Sequence, residues 1–153
     1  MVEETAAALI CLLADGFAPD VALCLQQLRQ KKVSLTLVGN VSGVIEGQNG
    51  YRLLPERRLH SLKQLPTGCT VLFPSGSPCQ EVLLADPRVY RLIQQLATAE
   101  GLLAVLGDKS DAGPLIDLVK NDQYWVQGKQ SAAEFAARLA GWRPELRQTP
   151  AAG

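Results

Sequence analysis

The sequence predicts a doubly wound α/β domain built on a mostly parallel sheet. Apolar runs of strand length alternate with segments that carry apolar residues at helical spacing. Short turns containing glycine, proline or aspartate separate them, as in consecutive strand–helix–strand units. Hydrophobic residues make up 47% of the 153 residues and charged residues 20%, which suffices for one domain with a full core. We assign this domain to residues 1–143 and a polar tail to residues 144–153.

The first strand–helix–strand unit lies within residues 6–39. Residues 6–13 are continuously apolar, which is typical of a central strand covered on both faces. Residues 33–38 alternate and end at Gly39, which predicts a second strand near the sheet edge. The helix between them is predicted from apolar residues at helical spacing, namely Val21, Cys24, Leu25 and Leu28.

A short antiparallel excursion interrupts this pattern. Residues 43–55 contain several glycines between short apolar segments, and Asn49 with Gly50 is a favoured hairpin turn. Residues 59–65 then link the hairpin to a short apolar strand at residues 70–73.

The second half of the chain supplies the remaining strands and helices. Asp86 is predicted to cap a helix that ends near Gly101 and buries Val89, Leu92, Ile93 and Leu96. Residues 102–106 and 123–126 are predicted strands, with a short helix at residues 115–119 between them.

A last helix is predicted from the capping box formed by Ser131 and Glu134. Its inner face carries Phe135, Leu139 and Trp142. Right-handed crossovers of such units give a flavodoxin-like three-layer sandwich with a small hairpin excursion.

The charge balance argues against a polyanionic partner. Fifteen basic and fifteen acidic residues leave no net charge to attract nucleic acid or an anionic membrane, and the basic pairs 31–32 and 57–58 are predicted to be solvated turns. Residues 6–14 are too short to span a bilayer and follow acidic Glu3 and Glu4, where a secretion signal would be basic. We therefore expect a cytoplasmic protein.

The four cysteines form no metal-binding pattern. None has CxxC spacing and His60 is the single histidine, so we expect no metal and no other cofactor. Cys11, on an apolar strand, and Cys24, on a helix, are expected to be small buried hydrophobic residues.

Three loops are expected to meet at the carboxyl edge of the sheet, where open parallel sheets bind ligands: residues 15–20, 74–80 and 107–111. With its surroundings, this part of the chain resembles the ThiJ/PfpI family of the class I glutamine-amidotransferase-like superfamily. The resemblance is carried by residues 14–17, 38–39, 43–55, 73–76, 86–89, 101–106 and 131–142.

The resemblance implies a hydrolytic site whose main positions are altered here. Family members place a cysteine on a sharp strand-to-helix elbow, and that position matches Gly107. They often set a histidine beside it, whereas residues 110–122 contain none. The backbone amide that family members contribute to the oxyanion hole matches Gly76.

The acidic partner of that cysteine matches Asp20 when counted back from Gly39, or Val21 when counted forward from Gly16, and we favour Asp20. Asp20 also follows Pro19, so its predicted main role is to cap the first helix.

The turn after the elbow allows two interpretations. Asp108, Lys109 and Asp111 form either the polar floor of a pocket or a charged surface turn. Residues 106–108 also resemble the C-terminal domain of large-subunit catalases, a structural appendage.

Cys79 is the one cysteine predicted in a loop at the functional edge. A helix starting nearby would lower its pKa and give a reactive or redox-sensing thiolate; an ordinary loop cysteine is the alternative, since no base is evident beside it.

The sequence hypothesis is a catalytically silent ThiJ/PfpI-like domain that acts by binding or assembly. As in many members of the family it resembles, it is expected to be a homodimer, with a possible small-molecule ligand at the carboxyl edge of the sheet. The alternative is a small-molecule thiol enzyme or stress sensor that uses Cys79, with glyoxalase-, deglycase- or amidase-like chemistry.

Overall fold

Six parallel strands form the central sheet of the computed structural model, which describes residues 8–143. A separate antiparallel hairpin consists of the third and fourth strands. In chain order the strands are β1 (Ala8–Leu13), β2 (Ser34–Gly39), β3 (Ile45–Glu46), β4 (Arg52–Leu53), β5 (Arg57–Arg58), β6 (Thr70–Phe73), β7 (Leu102–Val105) and β8 (Tyr124–Val126). The predicted tail at residues 144–153 and the first two residues of the predicted first strand lie outside the described residues.

Helices cover the sheet. They are α1 (Pro19–Gln30), α2 (Ser77–Leu84), α3 (Pro87–Ala99), α4 (Gly113–Ile116) and α5 (Ala132–Ala140). Helix α1 packs against α5, and α2 contacts α3. Every residue of β6 and β7 is buried, which requires cover on both faces of the sheet. The predicted doubly wound α/β class is confirmed.

The sheet order is β5–β2–β1–β6–β7–β8. From β1 the chain builds outwards to β2 and β5, and it then returns to the other side of β1 to add β6, β7 and β8. The strand order therefore reverses between β1 and β6. In open α/β sheets the crevice at such a switch point is where ligands bind.

Apolar periodicity predicted the core-facing sides of the helices correctly, except that Trp142, although buried as expected, lies beyond the end of α5 at Ala140. Val89, Ile93 and Leu96 of α3 are fully buried, as is Phe135 of α5. Cys11 and Cys24 are also fully buried, which confirms that they are small core residues.

The hairpin prediction is confirmed, and the hairpin is attached to the loop after β1. Asn49 and Gly50 both have positive φ, at 59° and 79°, as a tight turn at this point requires. The Gly16 N–H donates to the Glu46 carbonyl over 2.8 Å, and the Gln48 N–H donates to the Phe17 carbonyl over 2.8 Å. These bonds hold the hairpin beside the carboxyl edge of the sheet.

Two local predictions are wrong. Residues 57–58 are not a turn but the edge strand β5, because their backbone pairs in parallel with Val38 and Gly39; both side chains are exposed, as expected. The short helix predicted at residues 115–119 begins earlier, as α4, because Pro114 occupies a first-turn position.

The start of α3 is held by a charged cap that also reaches β2. Asp86 Oδ1 accepts the Arg88 backbone N–H over 2.9 Å, and Arg88 Nη2 lies 2.7 Å from Asp86 Oδ2. The same Nη2 donates to the Asn40 carbonyl, just beyond β2, over 3.2 Å. The predicted cap is therefore confirmed, and Arg88 extends it to a neighbouring element.

We expect the Asp86→Asn variant to lower the free energy of unfolding at pH 7 by about 1 kcal/mol, because asparagine keeps the cap but loses the ion pair. The side-chain hydrogen bond from Arg88 lowers the pKa of Asp86, so its carboxylate stabilises the fold above the usual aspartate pKa. That stabilisation is lost as the pH falls through the lowered pKa.

Urea unfolding at pH 7 and at successively lower pH measures this effect. The difference between the parent protein and Asp86→Asn should vanish at the acid end. The exposed residue Glu81 supplies a control, Glu81→Gln, which should show no comparable difference. A difference for Asp86→Asn that is independent of pH would contradict the ion-pair explanation.

Candidate functional site

The three loops predicted at the carboxyl edge of the sheet do meet there. The Ala18 N–H donates to the Ser75 carbonyl over 2.9 Å, which joins the loop after β1 to the loop after β6. Helix α2, which starts in the second loop, contacts the turn at residues 109–112 that follows β7. This junction lies at the switch point of the sheet.

Gly107 occupies the sharp turn that leaves β7. Its φ is +104°, a conformation that residues with a side chain rarely adopt. The N–H of the preceding Leu106 donates to the Phe73 carbonyl over 3.0 Å, so the turn starts from a fixed point on the sheet. The elbow thus carries no nucleophilic side chain.

A carboxylate occupies the space above Gly107. A Cβ atom built on Gly107 would lie 2.5 Å from Asp111 Oδ2, closer than real Cβ atoms approach a neighbour. Asp111 Oδ2 also accepts the Asp108 backbone N–H over 2.7 Å. The Asp108 N–H, which would face a developing oxyanion in a hydrolase, therefore already has a hydrogen-bond acceptor within the chain.

Asp108 and Asp111 bind each other across a 3-10 turn at Lys109–Ala112. The Asp111 N–H donates to the Asp108 backbone carbonyl over 2.9 Å, while Asp111 Oδ2 accepts the Asp108 N–H. Asp108 and Lys109 are exposed, and the Lys109 ammonium lies 5.8 Å from the centre of the Tyr124 ring. Of the two interpretations, these contacts support the charged surface turn.

Gln127, just after β8, connects the elbow to α1. Its Oε1 accepts the Gly107 N–H over 2.9 Å, and its Nε2 donates to Asp20 Oδ2 over 3.2 Å and to the Gln130 carbonyl over 3.0 Å. The side chain is buried, at 6% exposure. Sequence reasoning missed this residue. The available signal was a polar residue directly after an apolar strand at the carboxyl edge.

The predicted capping role of Asp20 is wrong. Ala18 is the N-cap of α1 and makes no side-chain cap, because Pro19 takes the first helical position and leaves Asp20 inside the first turn. Asp20 instead binds Gln127. The residue that the resemblance pairs with a cysteine is therefore connected, through one amide side chain, to Gly107.

We expect Gln127→Leu to lower the free energy of unfolding by about 3 kcal/mol. Leucine fills a similar volume but leaves the Gly107 N–H and the Asp20 carboxylate without this partner. Denaturant unfolding measures the change. Gln94→Leu, on an exposed position of α3, is the matched control and should change stability little. Equal stability of the two variants would show that the bridge contributes nothing.

Solved structures with the same fold identify the architecture. A DJ-1 superfamily protein from Salmonella typhimurium, solved as a cysteine-to-alanine mutant, superposes with a TM-score of 0.75 at 18% identity, over 88% of this chain and 88% of that chain. DJ-1beta of Drosophila melanogaster gives a TM-score of 0.72 at 16% identity, over 89% of each chain. A ThiJ/PfpI family protein from Pseudomonas syringae gives 0.70 at 9% identity, over 95% of this chain and 74% of that chain.

The chain has the DJ-1/ThiJ/PfpI fold. At these identities the likeness establishes the architecture. No family model matches the sequence, and no curated protein matches it. The expected flavodoxin-like sandwich with a hairpin excursion is confirmed.

In this DJ-1/ThiJ/PfpI fold, Gly76 packs closely against the loop after β1. Its φ is +110°, and a Cβ atom there would lie 2.5 Å from the Gly16 carbonyl oxygen and 2.7 Å from the Ala18 nitrogen. Gly76 is also the N-cap of α2. The structure thus gives Gly76 a packing role that requires the absence of a side chain.

The loop position predicted for Cys79 is wrong. Helix α2 begins at Ser77 with Pro78 in its first turn. Cys79 is therefore the third residue of that helix, and its side chain is fully buried. Burial raises the pKa of the Cys79 thiol to about 12, with a smaller contribution in the same direction from the charge of Asp15 and an opposing one from a backbone hydrogen bond with Ala14. The shift is opposite to the one that a reactive thiolate needs.

We expect native Cys79 to react with iodoacetamide at least a hundredfold more slowly than in the unfolded chain, because a pKa near 12 leaves about one thiol in 10⁵ ionised at pH 7. Mass spectrometry after timed labelling measures the rate. Cys11, Cys24 and Cys69, which are also buried, serve as internal references and should be protected equally. Selective labelling of Cys79 in the folded protein would contradict this expectation.

Among residues 8–143, no group of three or more histidine, cysteine, aspartate and glutamate side chains is arranged to hold a metal ion. Within the same range, none of the helices has the length and apolar character needed to cross a membrane.

Proposed function

We propose that this chain is a catalytically silent domain of the DJ-1/ThiJ/PfpI fold that acts in the cytoplasm as a homodimer, through binding or assembly. The observation that carries the proposal is the occupied elbow: Gly107 has no side chain, and the Asp111 carboxylate fills the space above it.

The electrostatics of the elbow support catalytic silence. Acyl transfer through a covalent intermediate requires a nucleophile, a proton acceptor beside it and donors aimed at the oxyanion. At this elbow the Asp108 N–H donates to a carboxylate, and a second negative charge at that place would be repelled by Asp111. The arrangement therefore opposes the transition state that such an elbow stabilises in an enzyme.

The internal bonding of the site supports a structural role for it. Gln127 binds the Gly107 N–H on one side and Asp20 on the other, so both groups are engaged by the chain itself. A junction bonded in this way joins β7, β8 and α1 without needing a substrate. Any small molecule at the carboxyl edge would bind beside this junction.

Exposed apolar side chains support assembly with a second copy of the chain. Val41, Val44, Tyr51 and Leu54 are exposed around the β3–β4 hairpin, with Leu54 at 66% exposure. Large apolar side chains left exposed on one segment of the chain are what a protein interface would cover. The hairpin is the element that we propose the second copy covers.

Turnover assays test the catalytic part of the proposal. Purified protein incubated with methylglyoxal, a peptide amide or glutamine should show no product above buffer. Turnover above buffer would overturn the proposal. If Cys79→Ala abolished that turnover, the thiol-enzyme alternative would replace it.

Sedimentation equilibrium tests the assembly. The parent protein and Val82→Glu, a control at an exposed apolar position on α2, should both be dimers, and Leu54→Glu should be a monomer. A monomeric parent, or a Leu54→Glu variant that dimerises like the control, would overturn assembly through the hairpin.

A further inference from the structure

A groove runs between residues 59–67 and helix α3. It consists of two adjoining cavities of about 300 Å³ and about 360 Å³, and Gln95 lines both. No residue of the elbow at Gly107 lines either cavity. What this groove binds is therefore a separate question from the catalytic silence of the elbow.

The groove is basic although the chain has no net charge. Lys63, Arg88, Arg91 and His60 line the two cavities, and no aspartate or glutamate does. The whole chain has fifteen basic and fifteen acidic residues, so the excess is local to this surface. A concave surface lined by one sign of charge concentrates ligands of the opposite sign.

Two of these cations are available to a ligand. Lys63 and Arg91 are exposed and form no hydrogen bond or ion pair at contact distance with the other described residues; the charge of Arg91 does act on Asp86, whose pKa it helps to lower. Arg88 is already paired with Asp86, which offsets its charge and fixes its guanidinium at one end of the groove. Lys63 and Arg91 are therefore the main groups for binding carboxylates.

The floor of the groove is apolar. Leu59 and Leu92 line the first cavity and Leu65 lines the second, and each of them is nearly buried. Apolar groups of a ligand that reached this floor would leave water while its carboxylates stayed near the basic rim. The surface thus suits a ligand that carries both kinds of group.

The length of the groove favours an extended ligand. From Arg88 to Ala99 the helix advances about 17 Å at 1.5 Å per residue. An extended peptide covers that distance with about five residues, and successive side chains point to opposite sides. Alternating apolar and acidic residues would then meet the floor and the rim in turn.

We propose that this groove binds an extended acidic peptide segment of a partner protein, with apolar side chains on the leucine floor and carboxylates at Lys63 and Arg91. The proposal goes beyond the function proposed above, since it assigns a partner chemistry to a surface that the elbow does not share.

Fluorescence anisotropy with a labelled, acetylated Leu-Glu-Leu-Glu-Leu-Glu peptide tests the proposal on the full chain. The parent protein should bind it, with an affinity that falls as salt is added. Arg91→Glu and Lys63→Glu should each weaken binding about tenfold, the effect of replacing an attraction by a repulsion at a partly exposed site. Arg29→Glu, on an exposed cation in the last turn of α1, is the matched control and should bind like the parent.

Other outcomes would overturn the proposal. One is failure of the parent protein to bind, and another is equal weakening of binding by the three charge reversals. Equal binding of the corresponding Leu-Lys peptide would show that charge does not select the ligand. Displacement of the peptide by a short oligonucleotide at equal charge concentration would indicate a general polyanion surface. Circular dichroism of each variant confirms that a loss of binding is not a loss of folding.

Discussion

Replacing Gly107 with cysteine is expected to lower the free energy of unfolding by about 3 kcal/mol and to produce no hydrolytic activity. A side chain at φ +104° is strained, and its Cβ would displace the Asp111 carboxylate from the Asp108 N–H that it now accepts. The thiol would also face a carboxylate, which disfavours the thiolate. Denaturant unfolding and assays with methylglyoxal, a peptide amide and glutamine measure both effects.

Two variants separate the causes of this loss. Gly50→Cys places the same side chain at φ +79° with no atom within 4 Å, so it should show the backbone strain alone, about 1 kcal/mol. Gly107→Cys with Asp111→Ala removes the crowding but also removes the acceptor of the Asp108 N–H, so it should recover only part of the loss. A stable, active Gly107→Cys single variant would contradict the account of the elbow.

The Asp111 carboxylate lies where the side chain of a nucleophile at position 107 would begin. A side chain at position 107 would require the Asp111 carboxylate to turn away and give up the Asp108 N–H. Gln127 adds a second obstacle, because its bonds to Gly107 and Asp20 occupy the backbone and the acid of the site.

The fold was predictable from local patterns because the core depends on periodicity. Continuous apolar runs predicted the buried strands β1, β6 and β7, and the stripe from Val89 to Leu96 predicted the inner face of α3. The Asn49–Gly50 turn and the cap at Asp86 were predictable for a related reason, since each depends on residues close in sequence.

The bonding within the site was not predictable in this way, because it joins residues distant in sequence. Gln127 and Asp20 are 107 positions apart, and nothing in either local sequence indicates that they are paired. The error at Cys79 has a local cause: Pro78 resembles the end of the loop at residues 74–78, although proline is also favoured in the first turn of a helix. Because the helix begins at Ser77, the Cys79 thiol lies in the core and not in an exposed loop.

The same dependence on distant contacts makes Gly76 the most sensitive position of the junction. We expect Gly76→Ala to lower the free energy of unfolding by about 4 kcal/mol. Its φ of +110° strains any side chain, and the added Cβ would meet two backbone atoms, the Gly16 oxygen at 2.5 Å and the Ala18 nitrogen at 2.7 Å. Backbone atoms cannot yield without weakening the bond from the Ala18 N–H to the Ser75 carbonyl.

Gly43→Ala is the matched control for this prediction, since Gly43 has a φ of +93° and no atom within 4 Å of an added Cβ. It should cost about 1 kcal/mol, the backbone term alone. The difference between the two variants in denaturant unfolding therefore measures how closely the loops after β1 and β6 are packed. Equal losses would mean that these two loops move apart at little cost. Their close packing would then contribute little to the arrangement of Gly107, Gln127 and Asp20.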